Sequence, residues 1–447
     1  MKIAEQFADF TSSLSFHQLP ESVVEKTKLL FLDWLGATLQ GSKEATTTIA
    51  LEVAGDLKGP DEATVLADMS QNSCLMAALV NGVGSHALEL DDLHRKGIYH
   101  PGGPVFPAIL AVAEKLNLSG TKFIEAAVVG YEIGIRSAVA AGSSHYKFWH
   151  TTGTCGTFGA AAATAKLLSL DKAQTSWALG SAGTQAAGLW EFLADSTMSK
   201  QLHPAKAAVN GMLAAFLARR GFTGAGEIYE GKKGFLRATS GDYDLAAATE
   251  NIGTGHFKIL ETTIKKHASC GHTHSAIDCI LNIVNENNIN CHQIDRIDVQ
   301  LCAQSLDLIG EVVPSNSASA KFSIPFCIAA AAILGKVDLG SFEPAQLHDQ
   351  QILKLMGCVS LQSSPELTVL FPEKSCCIIS IKTKSGEVFS DRVNDPLGTP
   401  ENPMSNNDVL SKFEMIPSSH MKFKHDFIIE KIMQLEKTES MNTFFKF

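Results

Sequence analysis

The sequence predicts a mostly α protein: a large helical domain with a smaller α+β domain. Apolar residues recur at helical spacing through roughly the first 250 positions. Period-two runs appear only after about residue 260. A stretch rich in Pro, Gly and Asn, "DPLGTPENPMS", then precedes a return to helical periodicity.

"PESVVEKTKLLFLDWLG" opens with Pro20 in a first-turn position. Val23, Val24, Leu29, Leu30, Phe31 and Leu35 follow on one face, and Gly36 is the expected stop. "SCLMAALVNGVGSHALEL", "PGGPVFPAILAVAEKL" and "GTKFIEAAVVGYEIGIRSAVA" repeat the pattern with small residues on the apolar side. In "TTGTCGTFGAAAATAKLLSL", Gly153, Gly156 and Gly159 are spaced by three. Neither phosphate-loop fingerprint is present, so these glycines predict close helix–helix contact. "DRIDVQLC" alternates Ile297, Val299 and Leu301 as a strand does. "CCIISIKTKSGEVFSDRV" places two β-rich runs around a Lys384-Ser385-Gly386 turn. Between them, "ASAKFSIPFCIAAAAILG" and "PAQLHDQQILKLMG" are helical, as is the tail, "HDFIIEKIMQLEKT", expected to pack on the first domain. The division is a helical domain over 1–260, completed by 396–447, and an α+β domain over 261–395.

At 447 residues the chain is too long for one typical core. The surplus of acids, 47 against 37 bases, argues against nucleic acid or an anionic membrane as partner. No run of 18 apolar residues occurs, and "MKIAEQFADF" has acids where a signal peptide needs an apolar core. Ten scattered cysteines without a CxxC pair read as reduced thiols in the cytoplasm.

Four clusters could carry chemistry. "ELDDLHRKGIYHPGG" holds Glu89, Asp91, Asp92, His94 and His100. "HYKFWHTTG" holds His145, Tyr146, Lys147 and His150. "SKQLHPAKAAVNG" holds Lys200, His203 and Lys206, and "IKKHASCGHTH" holds Lys265, Lys266, His267, Cys270, His272 and His274. Lys147 and Lys206 are expected in solvent, and His145 and His267 as hydrogen-bonded structural residues. The polar residues before Pro204 read as caps of a helix starting there. No spacing matches a zinc motif, so no metal is expected, although the first cluster leaves a metal-dependent hydrolase as a competing reading. Histidines that titrate near neutrality and lysines that attract carboxylates point to proton transfer on a small anionic substrate. A ligand-binding scaffold without catalysis is the third class.

"HALELDDLH…HPGGPVFPAILAVAE" resembles the signature of the MmgE/PrpD family. "LHPAKAAVNGMLAAFLARRGFTGAGEIYEGKKGFL", "KKHASCGHTHSAID" and "SAKFSIPF" are similar to its later blocks, in the same order. The resemblance spans nearly the whole chain. It implies a helical main domain built from both chain ends, an α+β lid domain and a homodimer. It also implies action on di- or tricarboxylates without metal or organic cofactor. By resemblance, His100 and His150 fall on active-site histidines and Lys200 on a lysine beside the substrate. Lys265 and His274 lie in the lid-side block, and Glu89 stands where Asp is usual, in the motif that Asp92 ends.

The family chemistry places a double negative charge on a carboxylate whose neighbouring carbon loses a proton or carbon dioxide, and cationic donors stabilise it. On that chemistry His150 or Lys200 is expected as base and His100 as acid, with Lys265 and His203 as carboxylate anchors and His274 also in substrate binding. Glu89 and Asp92 would set tautomers and pKa values. Tyr146 is the alternative acid or base, by similarity to the epimerases of the family. Leu93 in place of Thr and Phe326 in place of Tyr each remove a hydroxyl. Dehydration of a 2-methylcitrate- or citrate-type substrate ranks first, then epimerisation, then decarboxylation.

Overall fold

The periodic segments of the N-terminal half form α1 (Ile3–Ser13), α2 (Glu21–Gly41), α3 (Ala45–Asp56), α4 (Cys74–Ser85), α5 (Gly102–Leu116), α6 (Gly120–His145), α7 (Thr151–Leu167), α8 (Lys172–Gly183), the short α9 (Phe192–Asp195) and α10 (Ser199–Arg219). This computed structural model describes residues 2–195, 197–310 and 313–446. The chain divides into two units. The first comprises Met1–Ala87, Asp91–Ile264 and Ser405–Phe447, and the second Leu88–Leu90 and Lys265–Met404. Among the described residues no helix is long and apolar enough to cross a membrane.

Local chemistry sets several helix ends in the first unit. Ser73 and Ser119 accept the N–H groups of Met76 and Lys122 as N-caps of α4 and α6. Asp171 and Gln174 form a capping box on α8. Asn117 closes α5 in the left-handed conformation, φ 57°. The expected stop at Gly36 is wrong, since α2 runs on to Gly41. Gly36 serves contact instead: a Cβ there would lie 3.2 Å from Phe413 Cδ2. A short hairpin, β1 (Ala63–Val65) and β2 (Ser70–Asn72), joins the helices. Its three-residue strands are too short for a periodicity signal, and buried Glu114 secures it by accepting from Thr64 N and Oγ1 at 2.6 and 2.8 Å.

The core of this unit is an aromatic cluster in which Phe31 meets Trp34, Phe106, Phe123 and, from the tail, Phe444 at centroid distances of 4.7–6.0 Å. Lys412 pairs with buried Asp33, and Lys28 with Glu436 at 2.8 Å, so the last 43 residues are tied to α2 by charge as well as by apolar burial. The glycines of α7 make the close contacts expected of them. A Cβ at Gly156 would lie 2.7 Å from Pro104 Cγ of α5, and one at Gly159 2.7 Å from the Gly130 carbonyl of α6.

The second unit holds a four-stranded sheet of order β4-β3-β5-β6, from β3 (Ile294–Leu301), β4 (Val359–Ser363), β5 (Cys377–Thr383) and β6 (Val388–Val393). β3 pairs antiparallel with β5, Val299 opposite Ile379, and β5 with β6, Ile381 opposite Phe389. The hairpin turns where expected, with Gly386 at φ 93°. Alternation is clean on β5, where Cys377, Ile379, Ile381 and Thr383 are buried, and helix His274–Glu286 packs against β5 and β6. Sequence reasoning missed β4, a parallel edge strand with no fully buried residue and therefore no alternation to read.

Because the atom facing Gly159 is a backbone carbonyl that cannot rotate away, Gly159→Ala is expected to destabilise by about 1–3 kcal/mol. Gly55→Ala, where nothing lies within 4 Å, should hold or slightly raise the midpoint. Thermal unfolding of the two variants beside the parent checks this.

Candidate active site

Three helices of the first unit begin at one place. α5 starts just after His100 and Pro101, His150 is the N-cap residue of α7, and Lys200 and His203 lie in the first two turns of α10. Small residues permit this convergence. A Cβ at Gly103 would come 3.0 Å from Pro204, and one at Gly153 3.1 Å from His203 Cβ. The helix expected to begin near Pro204 begins at Ser199, with Pro204 inside it. At this sixth position its ring costs the helix the one amide that would bond the Lys200 carbonyl, and the helix still runs on to Arg219. Each N-terminus contributes roughly half a positive charge, so the cluster sits in an environment suited to anions.

The imidazoles contact one another. His150 Nδ1 lies 3.0 Å from His203 Nδ1, and the His150 ring is 5.6 Å from that of His86 and 6.2 Å from that of His100. Burial, then the charge of Lys200, holds His150 well below the usual imidazole range. Burial, then His86, Lys206 and Lys200, lowers His203 to about 4. Both rings are thus neutral near pH 7, and in their contact one Nδ1 carries the hydrogen while the other accepts it. Trp190 covers His150 at 4.8 Å, and Tyr146, half-buried, meets Trp190 edge-on at 4.8 Å. Lys206 is not the solvated residue expected. Its Nζ donates to the Gln185 and Ala187 carbonyls at 3.2 and 3.3 Å, tethering the loop that carries Trp190.

The segment from 91 to 100 is a tightly bonded turn. His94 and Tyr99 pair as a β-bridge, and Leu93 pairs with Thr263. His94 Nδ1 accepts the Gly97 N–H, so its Nε2–H donates to Glu261 at 3.1 Å. Ile98 is held at φ 43°, a conformation that a β-branched residue rarely adopts, and this strain accompanies the placement of His100 two residues on. His100 Nδ1 donates to the Asp92 carbonyl at 2.7 Å, and its backbone N–H to Thr152 Oγ1 at 3.2 Å. The Asp92 side chain faces elsewhere, accepting Gly102 N–H at 2.9 Å and the Tyr131 hydroxyl at 2.6 Å. Burial pushes its carboxyl up to about 7. The charge of Asp91 adds to the shift, and the bonds from Tyr131 and Gly102 oppose it.

The acids and histidines of the opening cluster therefore do not all point to one five-ligand cage: His94 bonds Glu261 and Asp92 bonds Tyr131. His86, Asp91 and His100 do bring ligand-type atoms within 4.8 Å of one another. Within this trio Asp91 Oδ2 lies 2.7 Å from His86 Nδ1, and His100 Nδ1 donates to the Asp92 carbonyl. Neither His86 nor Trp190 was singled out from sequence. His86 opens the signature "HALELDDLH" that carries the family resemblance but was given no role there, and Trp190 sits in a loop that shows no periodicity.

In the second unit Lys265 is fully buried. Its Nζ donates to the Glu89 carbonyl at 3.1 Å and lies 3.6 Å from its carboxylate. Glu89 itself adopts φ 59°. His274 Nε2 lies 3.3 Å from the Ser269 carbonyl, and His272 Nδ1 2.8 Å from Ser305 Oγ. His145 and His267 have the structural partners expected of them: Thr239 and Thr154 for the first, Asp278 for the second.

The MmgE/PrpD N-terminal domain matches residues 5–248 and the MmgE/PrpD C-terminal domain residues 267–435. The chain is 28% identical to a cis-aconitate decarboxylase-like protein, oryM, of Aspergillus oryzae, over 93% of this chain and 91% of that protein. It is 28% identical to a cis-aconitate decarboxylase of Aspergillus terreus (93% and 89% covered) and 26% identical to that of Homo sapiens (98% and 92%).

The raised carboxyl of Asp92 has a consequence for stability. A folded-state pKa near 7 against about 3.9 unfolded means the native protein holds a proton that the unfolded chain releases. Asp92 therefore disfavours the fold increasingly as pH rises from about 4 to 7. Asp92→Asn keeps an acceptor for Gly102 and can donate to Tyr131. Its thermal midpoint relative to the parent is expected to improve between pH 5 and pH 8, as scanning calorimetry at the two pH values would show.

Proposed function

The chain belongs to the MmgE/PrpD family, and from that premise we propose that it is a lyase acting on a small tricarboxylate at a carbon beside a carboxylate. One observation carries the reading: His100, His150, His203 and Lys200 gather at the first turns of three helices, proton-transfer groups in a setting that attracts anions. The relatives named cis-aconitate decarboxylase, matched along more than nine-tenths of this chain, favour carbon–carbon cleavage over the dehydration ranked first from sequence.

In that reading Lys200 and His203 hold substrate carboxylates. The bond to one carboxylate breaks, carbon dioxide leaves, and the electron pair remains on the substrate, spread into a neighbouring carboxylate. Lys200 and the helix N-termini stabilise that charge. His100, in its protonated form with Nδ1–H engaged by the Asp92 carbonyl, delivers the second ring proton from Nε2 to carbon and is left neutral. Lys265, paired with Glu89, and His274 keep the substrate-binding role that the family resemblance gives them.

Dehydration is the second reading, favoured by the neutral His150–His203 pair. A neutral imidazole can take a proton from carbon, after which the hydroxyl leaves with a proton from His100 as water. Tyr146, beside Trp190, is the candidate second proton carrier for an epimerisation.

Proton NMR in deuterium oxide with cis-aconitate, 2-methylcitrate, citrate and iminodisuccinate in turn, on chelator-treated protein, distinguishes these outcomes. Loss of carbon dioxide supports the first reading, formation of an alkene with loss of water the second. Deuterium entering beside a carboxylate without net conversion marks an epimerase, and silence on all four removes the tricarboxylate reading. His100→Ala is expected to lower kcat by about 10²–10⁴-fold with an unchanged thermal midpoint. Lys200→Ala should raise KM as well as lower kcat. Near-parent activity of His100→Ala would sink its assignment.

A further inference from the structure

We infer that His86 and Asp91 are positioning residues for His100, a buried imidazole–carboxylate pair that supports the Nδ1–H tautomer set by the Asp92 carbonyl and stabilises the protonated form. This rests on the reading of His100 as proton donor. The Asp92 carbonyl 2.7 Å from His100 Nδ1 can only accept, so that nitrogen carries hydrogen and Nε2 is the atom that exchanges a proton. Asp91 Oδ2 lies 3.4 Å from the same Nδ1. The Asp91 side chain is buried, so its charge acts on His100 with little screening.

His86 holds Asp91 in place. Its Nδ1 is 2.7 Å from Asp91 Oδ2, and His86 is the residue that closes the C-terminus of α4. Its Nε2 is buried and has no hydrogen-bond partner among the described residues. A ring nitrogen left unsatisfied in the interior carries a desolvation penalty, so packing alone does not account for an imidazole here.

The other acids of the segment do not fill this place. The Asp92 carboxyl is turned to Tyr131 and Gly102, and Glu89 is paired with Lys265. The ionisable groups facing the trio from α7 and α10 include His150 and His203, whose rings are neutral near pH 7, and Lys200, whose charge raises the local positive potential. Behind Asp92 lie Lys26 and Asp33 of α2, with Lys26 lowered to about 8 by burial. Tyr99 and Tyr131 are held well above the usual phenol range by burial and stay neutral throughout.

Asp91→Asn separates charge from shape, because it keeps an oxygen to accept from His86. If protonated His100 is the acid, activity falls as pH rises and His100 loses its proton. Removing the Asp91 charge should move that alkaline limb of the kcat/KM profile downward by about one pH unit or more. KM near the optimum should change less than kcat, since Lys200 and His203 are untouched. A purely structural role would leave the profile where it is.

Histidine 15N NMR of the whole protein without substrate, with His100 assigned by His100→Gln, gives a readout independent of turnover. The parent should show His100 with Nδ1 protonated across the titration, and Asp91→Asn should lower its protonation midpoint. An Nε2–H tautomer in the parent overturns the inference, even if the variant does not fold. So does an unmoved midpoint in a folded variant. A shifted midpoint with no turnover on the four substrates would sink the lyase reading and leave the pair standing.

Discussion

The site depends on how closely α5, α7 and α10 approach one another. His100, His150 and His203 come from three separate segments, and their rings touch only because the helices behind them meet at glycine and proline. Where a Cβ would fall 2.7 Å from Pro104 or 3.1 Å from His203 Cβ, any larger residue would push the helix ends apart. The same contacts align three helix N-termini, so the steric constraint also creates the electrostatic one. Positive potential, neutral imidazoles and a buried lysine follow from one piece of geometry.

The carboxylates nearby divide the labour. Asp92 braces the start of α5 and the Tyr131 hydroxyl, and gives His100 its backbone carbonyl rather than its charge. Asp91 sets a carboxylate oxygen 3.4 Å from His100 Nδ1, and Glu89 balances the buried amine of Lys265. Adjacent acids in "ELDDLH" thus face different partners because the segment is a turn, with Glu89 at φ 59°, and not a regular element.

Legibility followed periodicity. The helices of the first unit and the hairpin of β5 and β6 were readable because each repeats a face over several residues. Gly153, Gly156 and Gly159 announced close contact by their spacing. β4, with no fully buried position, gave no such repeat, and three-residue β1 and β2 were too short for one. Gly36 and Pro204 misled as punctuation, since each sits inside a helix where a neighbour, Phe413 or Gly103, sets the residue type.

What the sequence by itself determined was the class of fold, the family and the supply of histidines, lysines and acids for proton transfer, since these lie in composition, spacing and motif order. Only the tertiary structure decided which of them meet. His86 joined the cluster and His94 left it, Asp91 took the place beside His100, and Lys206 became a tether for the Trp190 loop. The reason is physical: a side chain's partner and protonation depend on burial and on neighbours scores of residues away, such as Thr152 to His100 or Lys200 to His150, and neither distance is written in the order of the chain.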